Sequence, residues 1–173
     1  FPMGRTGASP FALRSADDGL LVVRDNVTVF LNLDGSAARE HGVVWTEPPL
    51  CFVCAAPFLV ALLPKMSVEV RMLAAAAANF AQMIPIRGAR AITCKPRADG
   101  RGGHVCYIAT PTALYRLVQT PLPLLIDRLV AGREFAVALT LCDSLPRDDP
   151  ASTAKVRAVR LSYAYAMFAQ AQF

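Results

Sequence analysis

Val105 to Leu145 reads VCYIATPTALYRLVQTPLPLLIDRLVAGREFAVALTLCDSL, and its hydrophobic period changes partway along. Before Thr120, VCYIA and ALYRLV have the length and β-branched or aromatic content of two short strands around a turn. After Pro121, the apolar residues Leu122, Leu125, Ile126, Leu129 and Val130 recur at i, i+3, i+4, i+7 and i+8. That spacing is one stripe of an α-helix. A β region therefore passes directly into a helical one, joined by Pro-Leu-Pro.

Working upstream from this joint, short strand-like runs follow one another. They are Leu20 to Arg24, Val27 to Asn32, Gly42 to Trp45, Leu50 to Ala55, Phe58 to Leu63, Ser67 to Leu73, Phe80 to Ile86, Arg90 to Lys95, His104 to Ala109 and Ala113 to Val118. Asp25-Asn26 between the first two is a hairpin signal, and Leu33-Asp34-Gly35, Glu47-Pro48-Pro49, Pro64-Lys65-Met66 and Arg87-Gly88 supply further turns. Roughly ten short strands with regular turns predict a sandwich, barrel or propeller. Residues 1–19 read as a loop or linker with one possible strand near Phe11-Ala12-Leu13. Ala74 to Ala78 is too short to nucleate a helix reliably and reads as a turn or a short helical excursion.

Downstream of the joint, Thr120 is placed to cap the first helix, with Pro121 at its first position and Gly132 as its stop. A second helix is expected from about Arg133 to Leu145, with Phe135, Ala138, Leu139, Cys142 and Leu145 on one face. Pro146 to Pro150 breaks the pattern. Asp149 or Ser152 then caps a third helix, whose stripe is Val156, Val159, Tyr163, Met167 and Gln170. Consecutive short helices joined by tight turns match the start of an α-solenoid. The expected division is 1–19 linker, 20–120 β domain and 121–173 helical domain.

Composition is that of a folded chain, with 54% hydrophobic and 18% charged residues in 173. The sequence opens at Phe1 and its last helical pattern runs into Phe173, so it is read as an excised piece of a longer protein. The longest apolar run, Leu50 to Pro64, is too short for a membrane-spanning helix and is interrupted by Pro57. Net charge is +5, and the densest basic stretch is Arg87, Arg90, Lys95, Arg97 and Arg101. No aromatic residues interleave with it as in a single-stranded nucleic-acid platform, so nucleic acid is not an expected partner. A solvated basic face is the main reading; an acidic membrane surface or acidic protein is the alternative.

The residues able to carry chemistry do not assemble into a motif. Cys51-Phe52-Val53-Cys54 is a CxxC pair, but Cys94 and Cys106 are too far apart in sequence to form a second zinc knuckle. The pair also lies in a strand-like run rather than opening a helix, as a thioredoxin-type site would. Together with Cys142 the five cysteines are read as reduced, buried thiols of an intracellular protein. Asn26-Val27-Thr28 matches a glycosylation sequon and is discounted on the same ground. His41 and His104 stand beside glycines with no nucleophile motif nearby. Gly100 to Gly103 resembles a phosphate loop in composition only, and Asp17-Asp18 and Asp148-Asp149 are loop neighbours rather than a positioned acid/base pair. No catalytic, cofactor-binding or metal-binding residue is nominated, and no cofactor is expected. The chain reads as a binding and scaffolding piece rather than an enzyme.

Three segments together resemble one family. VVWTEPPL, APFLVALLP and SVEVRML look like the closing part of a citron homology (CNH) domain, through Trp45, Pro48 and Pro49, then Pro57 and Phe58, then Val68, Glu69 and Val70. The passage from VCYIATPTALYRLV into PLPLLIDRLVAGREFAVALTLCDSL resembles the strand-to-helix junction of the family comprising the vacuolar-sorting tethering subunit of the HOPS complex and the TGF-β-receptor-associated protein. KVRAVRLSYAYAMFAQAQF is similar to the next helix of the HOPS subunit, with Phe168 and Phe173 as its aromatic pair. The resemblance implies the C-terminal blades of a WD-like β-propeller leading into a clathrin-heavy-chain-like α-solenoid. It implies a non-enzymatic scaffold in endosome-to-vacuole or lysosome tethering and fusion. The implied partners are other HOPS or CORVET subunits and a Rab-type small GTPase, with a cytoplasmic location peripheral to late endosome, vacuole or lysosome membranes. The alternative is a CNH regulatory module of a kinase or exchange factor that binds a small GTPase.

Overall fold

The computed structural model describes residues 12–14, 19–65, 67–74, 81–98 and 103–170. Three antiparallel meanders follow one another along the chain, and three helices follow them. Sheet A holds β1 (Ala12–Arg14), β2 (Leu20–Arg24), β3 (Val27–Leu31) and β4 (Val43–Val44) in that order. Sheet B holds β5 (Cys51–Ala55), β6 (Phe58–Leu63), β7 (Ser67–Met72) and β8 (Ala81–Pro85). Sheet C has the order β11-β10-β9, from β9 (Ala91–Pro96), β10 (His104–Ala109) and β11 (Leu114–Val118). The helices are α1 (Leu122–Ala131), α2 (Phe135–Cys142) and α3 (Pro150–Gln170).

Each strand overlaps the run expected for it, with β1 and β9 each extending one residue past it, to Arg14 and Pro96, because period-2 apolar patterning and turn residues act locally. The β2–β3 hairpin turns at Asp25-Asn26, where Asp25 takes a positive φ of 52°. Aspartate tolerates that region better than most residues. The run expected from Gly42 to Trp45 shrinks to Val43–Val44. Gly42 approaches β3 so closely that a Cβ there would lie 2.6 Å from the Thr28 carbonyl oxygen. Of the Ala74 to Ala78 segment, residues 75–78 lie outside the described residues.

Sheet B lies in the middle, and that explains β6, whose six residues FLVALL are all buried. A strand covered on one face alternates; one covered on both does not. Leu59 and Ala61 point to sheet A, packing with Leu21, Val23, Phe30, Trp45 and Phe52. Val60 and Leu62 point the other way, packing with Val68, Cys106 and Ile108 against sheet C. Phe58 and Met72, at one end of sheet B, join the helices' core with Ile126, Ala138, Leu141 and Val159. Burying each such side chain contributes about 1.5–3 kcal/mol relative to leaving it exposed.

The helices correct several terminal expectations. Pro121 (φ −52°, ψ 133°) occupies the N-cap position of α1, no side chain caps it, and Thr120 is displaced from that role. The extended ψ of Pro121 keeps it outside the helix, and its carbonyl accepts from the Leu124 and Leu125 amides. Gly132 ends α1 as expected but with φ −79°; Arg133 takes the left-handed conformation instead, at φ 62°. That reversal delays α2 to Phe135, so it is shorter than the expected Arg133 to Leu145. Asp149, not Ser152, caps α3, its carboxylate accepting from the Ala151 and Ser152 amides at 3.2 and 3.1 Å. These hydrogen bonds, from the Ser152 side chain first, hold the Asp149 carboxyl below its ordinary pKa.

The expected α3 stripe is buried only in its first half. Val159 is buried and Val156 half-buried, whereas Tyr163 and Met167 are 39% and 49% exposed. At 1.5 Å per residue α3 is about 32 Å long and α2 about 12 Å, so α2 cannot cover it all. Tyr163 still meets Phe135 of α2, with ring centroids 5.4 Å apart.

Candidate functional site

Of the motif residues that carry the family resemblance, Trp45 and Glu69 lie at the seam between sheets A and B, whereas Phe58 joins the helices' core and Val68 packs toward sheet C. Trp45 is almost fully buried, and its indole N–H donates to Thr28 Oγ1 at 2.7 Å. The Trp45 amide donates to the Asn26 carbonyl at 2.7 Å. Asn26 Nδ2 donates to the Trp45 carbonyl at 3.3 Å. One residue on, Thr46 reaches across to Glu69 of β7. Its amide donates to Glu69 Oε2 at 3.1 Å and its hydroxyl to Oε1 at 3.0 Å. Glu69 is fully buried and is paired with Arg71, whose Nε donates to Oε1 at 2.6 Å.

A buried carboxylate is tolerated only when a cation and hydrogen bonds replace its lost hydration. Arg71, the Thr46 amide and the Thr46 hydroxyl meet that need. Glu69 was legible as a family motif residue, but nothing in its local pattern announced that it is fully buried. The assembly fastens two sheets together. Asn26 and Thr28 of the sequon are both engaged here, and Thr28 is fully buried.

The CxxC pair is divided by strand geometry. Residues i and i+3 of a strand face opposite ways. Cys51 packs in the seam between B and C, and Cys54 in the seam between A and B. Cys94 and Cys106 are Cα partners across β9 and β10 and join Cys51's side. Burial raises the pKa of Cys51, Cys94 and Cys142, and burial with the adjacent Cys94 pushes Cys106 up to about 12. None of the five cysteines is in a disulfide; Cys106 and Cys142 are buried and the other three half-buried. Protonated thiols of this kind are poor nucleophiles.

The basic stretch does not form one patch. Arg87 and Arg90 precede β9, while Lys95 and Arg97 lie at its far end, and Arg101 is outside the described residues. Seven residues of extended chain put Arg90 and Arg97 about 23 Å apart. Lys95 places Nζ 5.6 Å from the Tyr107 ring centre. His41 lies in the exposed loop before β4, and His104 opens β10.

The exposed apolar surface is more informative than any polar cluster. Leu161, Tyr165 and Phe168 of α3 are 55%, 67% and 63% exposed, and Leu114, Tyr115 and Val118 of β11 also face solvent. Large side chains grouped in this way mark interaction surfaces. Among the described residues, no helix is long and apolar enough to cross a membrane.

An antiparallel-sheet protein with a trailing helical segment and a hydrogen-bonded seam between two of its sheets is the class these features define. Over 173 residues, all of this chain, it is 28% identical to the Vam6/Vps39-like protein of Mus musculus and 27% identical to that of Homo sapiens. Over 169 residues, 97% of the chain, it is 27% identical to vacuolar sorting protein 39 of Arabidopsis thaliana. The chain spans only 18%, 18% and 16% of these relatives' lengths. The chain is thus similar over its whole length to the Vam6/Vps39 proteins, and the resemblance read from its sequence is borne out. No protein-family model matches it. A solved structure, the AfRom2 CNH domain, is 18% identical with a TM-score of 0.36, covering 61% of this chain and 32% of its own.

Proposed function

We propose that this chain is part of a non-enzymatic tethering subunit acting in vesicle traffic to the vacuole or lysosome. The observation that carries the reading is similarity over the whole chain to proteins named for vacuolar sorting. The three stacked meanders, expected over residues 20–120 and extended upstream by β1 (Ala12–Arg14), which pairs with β2, are the last blades of a CNH-type β-propeller. Residues 121–173 begin an α-solenoid. Radially repeated meanders and stacked helix pairs both offer extended faces for protein contact and need no catalytic constellation. The exposed apolar residues of α3 and the hydrogen-bonded Trp45–Glu69 seam support that division between contact surface and scaffold.

The partners of the whole protein are other HOPS- or CORVET-type subunits and a Rab-type GTPase, met on late endosomal or vacuolar membranes. Affinity purification of the full-length protein from its own cells tests this, with vacuolar-sorting subunits as the expected co-purifying set. Recovery of a small GTPase with a kinase or exchange factor, and no sorting subunit, would favour a signalling module instead.

A further inference from the structure

The groove between α2 and α3 gathers positive charge that the fold does not use. A cavity of about 350 Å³ opens there, lined by Leu145, Val156, Arg147, Arg157 and Arg160. Leu145 is buried and Val156 half-buried, whereas all three arginines are exposed, so the lining is apolar at its base and basic at its rim. A second cavity of about 280 Å³ continues the groove and shares Cys142, Val156 and Arg160 with the first. Thr153, Val156, Arg157 and Arg160 line it from α3 at i, i+3, i+4 and i+7, which is one face of a helix.

Arg157 and Arg160 stand one turn apart, about 4.5 Å along the axis. Like charges at that spacing repel and cost a helix stability. Among the described residues no carboxylate forms an ion pair with Arg147, Arg157 or Arg160, and none lines the larger cavity. The nearby acids are committed elsewhere: Asp149 caps α3, and Asp127 accepts from Lys155 Nζ at 2.7 Å. Asp143 lines the smaller cavity with Arg160 but forms no ion pair with it. Three arginines around an apolar base, with no anion of their own, are complementary to an acidic partner.

We propose that this groove docks a short acidic helix of a partner protein. Two carboxylates one turn apart on that helix meet Arg157 and Arg160, and an apolar side chain between them sits over Leu145 and Val156. Carboxylates at i and i+4 of a helix lie about 5–6 Å apart at their Cβ atoms, which matches the spacing of the two arginines. A guanidinium fork pairs a carboxylate through two parallel hydrogen bonds, so arginine suits this contact better than lysine. The apolar base calls for a side chain that a free anion lacks. A flat anionic membrane is the poorer fit, because that base is recessed beneath the arginines and the exposed Asp143 and Asp148 stand beside the lining residues.

The test uses the full-length protein and fluorescent synthetic peptides of about 15 residues, long enough to form a helix. One peptide carries Glu at i and i+4 around Leu; its counterparts carry Lys or Gln in place of Glu. The Glu peptide is expected to bind, and Arg157→Glu with Arg160→Glu to weaken it about tenfold, as for two charge pairs at a rim. Arg128→Glu, on α1 and outside the groove, is expected to leave binding unchanged. The Lys peptide is expected to bind the doubly reversed variant more tightly than the wild type, a gain that misfolding cannot produce. Equal binding of the Gln and Glu peptides, no effect of the double reversal, or no gain by the Lys peptide would each overturn the proposal. So would a full-length protein that binds none of the peptides. Binding of phosphatidylserine–phosphatidylcholine vesicles through the same arginines, without peptide binding, would overturn it in favour of a membrane contact. None of these readouts depends on which subunits co-purify with the protein.

Discussion

The two faces of sheet B are sealed in different ways. Toward sheet A, apolar packing is threaded by directional bonds: Trp45 to Thr28, Thr46 to Glu69, and Glu69 to Arg71. Toward sheet C, the seam is aliphatic side chains and three thiols, with a cavity at its open end. Directional bonds fix one relative placement of two sheets, because a half-satisfied buried network costs more than an apolar one. An apolar seam accepts small adjustments. The A–B seam should therefore respond to lost partners, and the B–C seam to lost volume.

The largest effect is expected from Arg71→Ala, which leaves the buried Glu69 carboxylate without its cation. A loss of about 3–5 kcal/mol in urea unfolding is expected. A loss below about 1 kcal/mol, the level of an exposed pair, would remove the distinction between the seams. On the other face, Ile108→Ala is expected to cost about 2–5 kcal/mol through the hole it leaves. Refilling that hole with a small apolar ligand should recover part of the loss, whereas no such ligand should rescue Arg71→Ala.

Trp45→Phe keeps most of the ring volume but strands the Thr28 hydroxyl, at an expected cost of about 1–3 kcal/mol. The double variant Trp45→Phe with Thr28→Val sharpens the comparison. If the polar bond matters, the second change should restore stability.

The smallest effect belongs to the helices. Asp149→Ala removes the α3 cap and should lower Tm by about 2–4 °C. The folded-state pKa of Asp149 lies below its ordinary value of 3.8. Its contribution is therefore present above 3.8 and is lost as pH falls through the lower folded value. Thermal melts of wild type and variant should converge at strongly acid pH and separate as pH rises past 3.8.

Much of this was readable before any coordinates, for local reasons. Alternation, turn residues and the change of period after Thr120 depend only on neighbours in the chain, so the strands and the strand-to-helix passage could be placed. The terminal details could not. Whether Thr120 or Pro121 caps α1, and whether Gly132 or Arg133 takes the left-handed turn, depends on small differences that later packing decides. The CxxC pair shows the same limit. Spacing puts Cys51 and Cys54 close together in the chain, and only their strand sends them to opposite faces.

The sequence by itself determined the elements, their order and the similarity to vacuolar-sorting proteins, because periodicity and motif residues are properties of one chain. The tertiary structure alone decided that β6 is covered on both sides, that Glu69 is buried with Arg71 and Thr46, and that β11 pairs with β10 and with no other strand among the described residues. Those are facts about what lies across a gap. Burial and pairing depend on residues distant in sequence, and no local pattern records which surface another sheet will cover.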